Sequence, residues 1–223
     1  MSKKQKLSHT KLLLLLVILM AAVATFGLYF SGSKHKHGIS LPENIHIDGT
    51  FLKTPQTVAD FQLTDDNGKP FTHKQLMGHW TMLFFGFSNC GYVCPTTLAA
   101  LNGMYHELSD KLDKKQMPQI VMVSVDPKRD TVTRMHQYVK TFNPNFIGTR
   151  ADEPALAALK KSLHIVAVKV QSKDKNPDHY TITHSADVML LDPNGDIVAY
   201  FSFPHTPDQM AKDYQTILKA VYG

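Results

Sequence analysis

Two cysteines four residues apart constrain this chain more than any other feature of its sequence. Cys90 and Cys94 are the only cysteines among the 223 residues, and they lie in the segment FFGFSNCGYVCPTTL, residues 84–98. An apolar run, residues 82–87, leads into them, and Pro95 follows where a helix can begin. The pattern predicts a buried strand, a turn that carries both thiols, and then a helix. Both sulfur atoms would lie at the carboxyl edge of a sheet.

The four-residue spacing is compatible with two kinds of chemistry. Residues one helical turn apart can face the same point, and a helix N-terminus lowers the pKa of a nearby thiol. The pair can form a redox disulfide, although redox motifs usually have two intervening residues rather than three. It can also supply two thiolates to copper(I) or zinc, and an imidazole would suit such a site as third ligand. Two buried, inert cysteines are the least favoured alternative, because both residues lie at a turn.

Strands and helices alternate along the rest of the chain. A hairpin is predicted around residues 61–72, strands at 81–87 and 119–125, and a second hairpin at 186–201, with helices between them and a last helix to about residue 221. This order predicts an α/β fold with helices on the faces of a central mixed sheet. A cysteine-bearing turn after the first long strand, with a late antiparallel hairpin, is the thioredoxin-like arrangement, a three-layer fold.

His184 is the candidate third ligand. It precedes the strand predicted from residue 186, and in a thioredoxin-like fold its loop lies beside the cysteine turn. The chain has twelve histidines, and a lone histidine before a strand more often forms only a local hydrogen bond. Asp126 has two interpretations as well, a turn residue before Pro127 or a group that orients a ligand. Three methionines in apolar strands are predicted to be core residues: Met82, Met122 and Met189.

The N-terminus predicts a membrane anchor. Residues 12–30 are uncharged and long enough to cross a bilayer as a helix, and lysines precede them. The positive-inside rule then places residues 1–11 in the cytoplasm, a tether at 31–55 and a domain at 56–223 outside it. The alternative is a signal peptide cleaved after Ala22-Val23-Ala24. In either case the domain faces an oxidising compartment, the periplasm or its equivalent, and the anchor would lie in the inner membrane.

The formal charge of +5 comes from the N-terminus. Residues 1–40 contain six lysines and no acidic residue, which leaves 18 basic and 19 acidic residues, a net charge of −1, for residues 41–223. The composition of the domain therefore gives no support to a nucleic-acid surface.

Three blocks of sequence carry a resemblance to a known family. They are FGFSNCGYVCP around the cysteines, SVDPKRDT at residues 124–131 and THSADVMLLDPNGDIVAYF at residues 183–201. With the predicted anchor, they resemble the Sco/SenC family of membrane-anchored, thioredoxin-like copper proteins that are needed to assemble the CuA centre of cytochrome c oxidase. The resemblance implies copper bound by Cys90, Cys94 and His184. It also implies, as a partner, the oxidase subunit that bears the CuA site.

The resemblance leaves two functions open. The first is a metallochaperone that passes copper to its acceptor by ligand exchange. The second is a thiol–disulfide oxidoreductase that reduces the acceptor's cysteines, with Cys90 and Cys94 as its redox pair. A thiol reductant or a copper donor protein would be a further partner. Peroxide reduction is a weaker third alternative, because no arginine lies close in sequence to Cys90. The chain departs from the family's common pattern at Asn89, Gly91 and Tyr92.

Overall fold

The computed structural model describes residues 20, 47–174, 176 and 178–222. The predicted tail and anchor lie outside the described residues, apart from Met20, and so do His35 and His37 of the predicted tether. Within the described part of the chain, every helix is too short or too polar to cross a bilayer.

Ten strands and four helices make up the described domain, together with a short 3-10 helix at His73–Gln75. The strands are β1 (Thr50–Gln56), β2 (Gln62–Asp65), β3 (Pro70–Thr72), β4 (Thr81–Gly86), β5 (Gln119–Ser124), β6 (Ile147–Arg150), β7 (Ala167–Gln171), β8 (Tyr180–His184), β9 (Val188–Leu191) and β10 (Ile197–Phe201). The helices are α1 (Val93–Ser109), α2 (Val132–Phe142), α3 (Glu153–Ser162) and α4 (Pro207–Tyr222).

Eight strands form one mixed sheet, in the order β1-β10-β9-β4-β5-β6-β2-β3. The central strands β4, β5 and β6 are parallel, and the strands on either side of them run antiparallel. β7 and β8 stand apart as an antiparallel two-stranded sheet. Parallel strands bury both faces, and all six residues of β4 are indeed buried. The predicted mixed sheet is therefore confirmed, and the cysteine turn follows one of its innermost strands.

Helix α1 begins earlier than the sequence predicts. Its first residue is Val93 rather than Pro95, so Cys94 lies inside the first helical turn. Pro95 is tolerated there because the first backbone N–H groups of a helix have no partner within it. Its inward side chains, Leu98, Leu101 and Met104, are fully buried in the core. The packing of this helix therefore fixes Cys94 relative to the sheet.

Three strands differ from the prediction. β1 overlaps the segment predicted as tether, 31–55, so the sheet begins before residue 56. β1 is an edge strand, and an edge position tolerates both Pro55 and an irregular register against β10. These two features hide the alternation of side chains that is expected of a strand. β6 has only four residues and gives no periodic signal. β8 was expected to be a loop, and its pairing with β7 leaves His184 as the last residue of a strand.

Candidate metal centre

The cysteine loop connects β4 to α1 and brings the two thiols together. Cys90 is half-buried ahead of the helix, and Cys94 is completely buried within its first turn. The Cys94 backbone N–H donates a hydrogen bond to Cys90 Sγ at 3.4 Å, and both residues are free cysteines. Gly86 permits this arrangement, because a Cβ atom there would lie 2.9 Å from Cys94 Sγ. The loop therefore holds one sulfur in the core and the other at the surface.

His184 reaches the same point from the β7–β8 hairpin. Its Nε2 lies 3.3 Å from Cys94 Sγ, and its Nδ1 lies 2.8 Å from the carbonyl oxygen of Ser185. A carbonyl can only accept a hydrogen bond, so Nδ1 carries the proton and Nε2 turns its lone pair towards the sulfur. The ring also makes an edge contact with Phe87, at 5.8 Å between centroids. This is the tautomer that a metal ligand requires.

The three ligand atoms form a cluster that suits a soft metal ion. Cys90, Cys94 and His184 place their sulfur and nitrogen atoms within 4.8 Å of one another. Among the described residues, no other group of three or more histidine, cysteine, aspartate or glutamate side chains lies close enough together to hold an ion. Two thiolates with one imidazole are the donor set that copper(I) or zinc prefers. The structure thus brings together all three residues that the sequence singled out, and the donor set fits the implied copper.

The two thiols differ in acidity. A hydrogen bond from the Cys94 side chain lowers the pKa of Cys90 to about 3, although burial opposes the shift. The same hydrogen bond and deeper burial raise the pKa of Cys94. The metal-free pair therefore holds one proton at neutral pH, with the thiolate on the more exposed sulfur. The accessible sulfur is the nucleophile and the buried one is the proton-bearing partner.

A buried carboxylate anchors the cysteine loop. Asp130 has no exposed surface, and it accepts hydrogen bonds from the Ser88 backbone N–H at 3.2 Å and the Ser88 hydroxyl at 2.5 Å. The Ser124 hydroxyl at the end of β5 donates a third, at 2.6 Å. Sequence analysis missed this role. The only signal for it was the SVDPKRDT block, in which Asp130 lies just before a helix and is therefore a candidate N-cap. Thr131 occupies the N-cap position instead.

Arg134 supports the same loop from the solvent side. Its Nε donates to Ser88 Oγ at 2.6 Å, and its Nη2 donates to Asn89 Oδ1. The sequence argument against peroxide chemistry depended on there being no arginine near Cys90 along the chain. In the folded chain, α2 brings this arginine to the residue next to Cys90. The argument therefore does not hold in three dimensions.

Asp126 connects the hairpin to the rest of the domain. It forms an ion pair with Arg129 and accepts a hydrogen bond from the Tyr180 hydroxyl at 2.7 Å. Arg129 in turn donates to the Tyr180 carbonyl at 3.0 Å, and its guanidinium lies over the Tyr180 ring. Tyr180 begins the strand that ends at His184, so Asp126 orients that strand without joining the cluster of three. Met82, Met122 and Met189 are buried in the core, as predicted.

Comparison with known proteins finds relatives in one family. The family model described as SCO1/SenC matches residues 50–219. The SCO2-like protein RP587 of Rickettsia prowazekii is 30% identical, with 97% of this chain and 98% of the relative covered. The mitochondrial SCO1 homolog 1 of Arabidopsis thaliana is also 30% identical over 86% of this chain, which spans 57% of that longer relative.

Solved structures agree as well. Arabidopsis thaliana ScoI with copper bound has a TM-score of 0.67 at 30% identity, covering 73% of this chain and 99% of its own. Bradyrhizobium japonicum ScoI with copper bound has a TM-score of 0.63 at 35% identity, covering 70% of this chain and 96% of its own. These matches confirm the predicted thioredoxin-like fold. The extent of the family match shows that this chain belongs to the SCO1/SenC family.

Proposed function

We propose that this chain is a copper metallochaperone that delivers copper to the CuA centre of cytochrome c oxidase. One observation carries the proposal: three ligand atoms suited to a soft metal ion, two sulfurs and an imidazole nitrogen, lie within 4.8 Å of one another. The copper-bound structures of relatives at 30% and 35% identity support copper as the ion. Cys90, Cys94 and His184 are the proposed ligands.

The exposure of the ligands suits transfer rather than permanent binding. Cys90 is half-buried, so a thiolate of an acceptor protein can approach copper from that side while Cys94 still holds it. Such exchange proceeds through copper shared between donor and acceptor ligands. The acceptor in this proposal is the oxidase subunit that bears the CuA site, and a copper donor protein would load the domain.

The proposal includes the predicted membrane attachment. Residues 1–11 would lie in the cytoplasm, 12–30 would cross the inner membrane, and a tether from residue 31 would carry the domain in the extracytoplasmic space. The uncharged 19-residue run with lysines before it supports this arrangement. Mass analysis of the mature protein tests it. A mature N-terminus at Thr25 would instead mean a cleaved signal peptide and a soluble periplasmic protein.

Thiol–disulfide exchange is the second candidate function, and the unequal pKa values of the two thiols favour it. The Cys90 thiolate would attack a disulfide of the acceptor, forming a mixed disulfide and releasing one acceptor thiolate. Cys94, losing its proton, would then attack Cys90 Sγ, closing the Cys90–Cys94 disulfide and releasing the second acceptor thiolate. The acceptor gains two electrons and the domain loses two. A separate thiol reductant would restore the domain.

Copper titration of reduced and oxidised protein separates these functions. A metallochaperone should bind one copper(I) per reduced chain and lose it on oxidation, because a disulfide sulfur has no thiolate charge to donate. Bound copper should also protect both thiols from alkylation. Stoichiometric binding by fully oxidised protein would place the ligands elsewhere, with His35 and His37 of the tether as the first to examine. Reduction of the acceptor's disulfide without copper binding would favour the oxidoreductase.

A further inference from the structure

The outer side of the cysteine loop combines one positive charge with an exposed aromatic ring. The loop itself, residues 87–92, contains no charged side chain other than the Cys90 thiolate. Arg134 lies against one end of it and is 47% exposed, and Tyr92, between the two cysteines, is 67% exposed. Any protein that takes copper from Cys90 has to approach this surface, because Cys94 is completely buried.

Hydrogen bonds hold the guanidinium of Arg134 in place and leave some of its N–H groups available to a partner. Nε and Nη2 hold Ser88 and Asn89, and no described residue accepts a hydrogen bond from Nη1. Asp130 Oδ1 lies 4.0 Å from Nε, on the inner side, and the two oxygens of the Asp130 carboxylate already accept three hydrogen bonds from Ser88 and Ser124. The outer edge of the guanidinium therefore faces solvent with paired N–H groups, the geometry that binds a carboxylate through two hydrogen bonds.

Tyr92 rests against other aromatic rings, although most of its own ring is exposed. It makes an edge contact with Phe203 at 6.2 Å between centroids, and Phe203 makes a similar contact with His205 at 5.7 Å. His205 is buried and hydrogen-bonds the carbonyl of Ala186, two residues after His184. These ring contacts support one side of Tyr92 and leave most of its ring for a partner to cover.

We propose that Arg134 and Tyr92 form a docking surface that binds a carboxylate and an adjacent apolar patch on the copper-accepting protein. The inference deepens the proposed function, since it names the chemistry of the partner's surface. Charge complementarity selects this partner: the domain as a whole is nearly neutral, and its face around the accessible sulfur presents the Arg134 guanidinium beside a loop that has no aspartate or glutamate. One charged pair and one ring are far fewer contacts than the roughly 20–30 residues a side of a stable complex. It suits an acceptor that must leave after transfer.

Association and transfer can be measured separately. The probe is the copper-free, reduced copper-site domain of cytochrome c oxidase subunit II from the same organism, and the full-length chain is held in lipid nanodiscs. We expect the association rate of the metal-free chain to fall by about tenfold or more between roughly 0.02 M and 0.5 M salt. Arg134→Glu should lower the low-salt rate by about tenfold and remove the salt dependence, Arg134→Lys should keep most of it, and Tyr92→Ala should speed dissociation.

Lys111→Glu is the matched control. It makes the same change of charge at an exposed position just after the opposite end of α1, and should change the rate by less than about twofold. Equal effects of the Arg134 and Lys111 reversals would overturn the proposal, as would a salt-independent rate in the wild type. A loss of copper affinity in Arg134→Gln without any change in association would assign Arg134 to the metal centre instead. Self-association that Arg134→Glu abolishes would identify a second copy as the occupant.

Failure of the proposed function gives a different result. A chain that binds no copper(I) refutes the metallochaperone, while the association of the metal-free chain with the subunit still tests the docking surface. A chain that binds copper and passes it on at equal rates with and without Arg134 keeps the function and refutes the surface.

Discussion

The two halves of the candidate metal centre are built in different ways. Cys90 and Cys94 belong to the main body of the domain, where the loop is tied down by Asp130 and the helix is packed in the core. His184 comes from a two-stranded hairpin outside the eight-stranded sheet. The inner face of that hairpin meets the domain through Tyr180 and Ile182, and its outer face exposes Val166, Val168 and Val170 by 47–61%.

This difference separates the tasks of the ligands. The thiols sit on a loop tied to a buried carboxylate and on a helix packed in the core, so their spacing is fixed for both a disulfide and a metal ion. The imidazole sits on an element with few buried contacts, and such elements open at lower free-energy cost than the core. We infer that the hairpin adjusts the affinity of the site, while the loop determines whether a site exists.

Removal of either thiol should have the largest effect. Cys90→Ala and Cys94→Ala each leave a single sulfur, so we expect tight copper(I) binding to disappear and the intramolecular disulfide to be lost with it. Competition with a copper(I) chelator and a thiol count measure the two outcomes. Tight binding retained in either variant would show that the loop does not supply the essential ligands.

Loss of the imidazole should affect only the metal. In His184→Ala the two thiolates remain, so copper(I) should bind more weakly, by about 100-fold, because a direct ligand matters at least as much as the groups that orient ligands. The disulfide should still form, since His184 takes no part in it. The same chelator competition and a titration of the disulfide measure both. Unchanged affinity would remove His184 from the site and with it the distinction between the two halves.

The anchoring carboxylate should have a smaller effect. Asp130→Asn keeps the shape of the side chain but turns an N–H group towards donors, so the loop loses part of its support. We expect copper affinity to fall by about 10- to 100-fold, the range for groups that orient metal ligands. The change should appear in the copper–thiolate absorption as well as in the affinity.

Asp66→Asn is the control for Asp130. Asp66 is another buried carboxylate, near His136 and Lys140 of α2, in the turn after β2 and three strands away from β4. Its replacement should destabilise the domain without altering the copper site. Equal losses of affinity in the two variants would mean that Asp130 acts through general stability alone.

The protonation of the pair predicts a pH dependence. Cys90, with a pKa near 3, is a thiolate at neutral pH, and Cys94, with a raised pKa, is a thiol. Copper that binds both sulfurs must therefore displace about one proton, so its affinity should fall by about tenfold for each unit that the pH is lowered around neutrality. Calorimetry in buffers of different ionisation enthalpy counts the protons released. Release of two protons would mean that Cys90 is also protonated in the metal-free protein.

The same contrast explains what the sequence could predict. The apolar run before Cys90, the proline after Cys94 and the one-turn spacing are local signals, and they correctly predicted a strand, a turn and a helix. Position before a strand made His184 a candidate, but only the pairing of β7 with β8 shows how it reaches Cys94. Asp130 could not be recognised in this way, because its partners at positions 88 and 124 meet only in the folded chain. The strand β6 is too short to show a period.

One substitution made in both regions should give the smallest effect and the sharpest comparison. Val121 lies in β5 with no exposed surface, whereas Val168 is 55% exposed on the hairpin. Threonine has the shape of valine but adds a hydroxyl, so Val121→Thr buries a polar group and should lower the free energy of unfolding by about 1–3 kcal/mol. Val168→Thr leaves the hydroxyl in water and should change the free energy of unfolding by less than about 0.5 kcal/mol.

Denaturant unfolding measures the stability of both variants, and copper titration should find the affinity of the Val168 variant unchanged. A Val168→Thr variant as unstable as Val121→Thr would mean that the outer face of the hairpin is packed like the core, and His184 would then be held as rigidly as the two thiols.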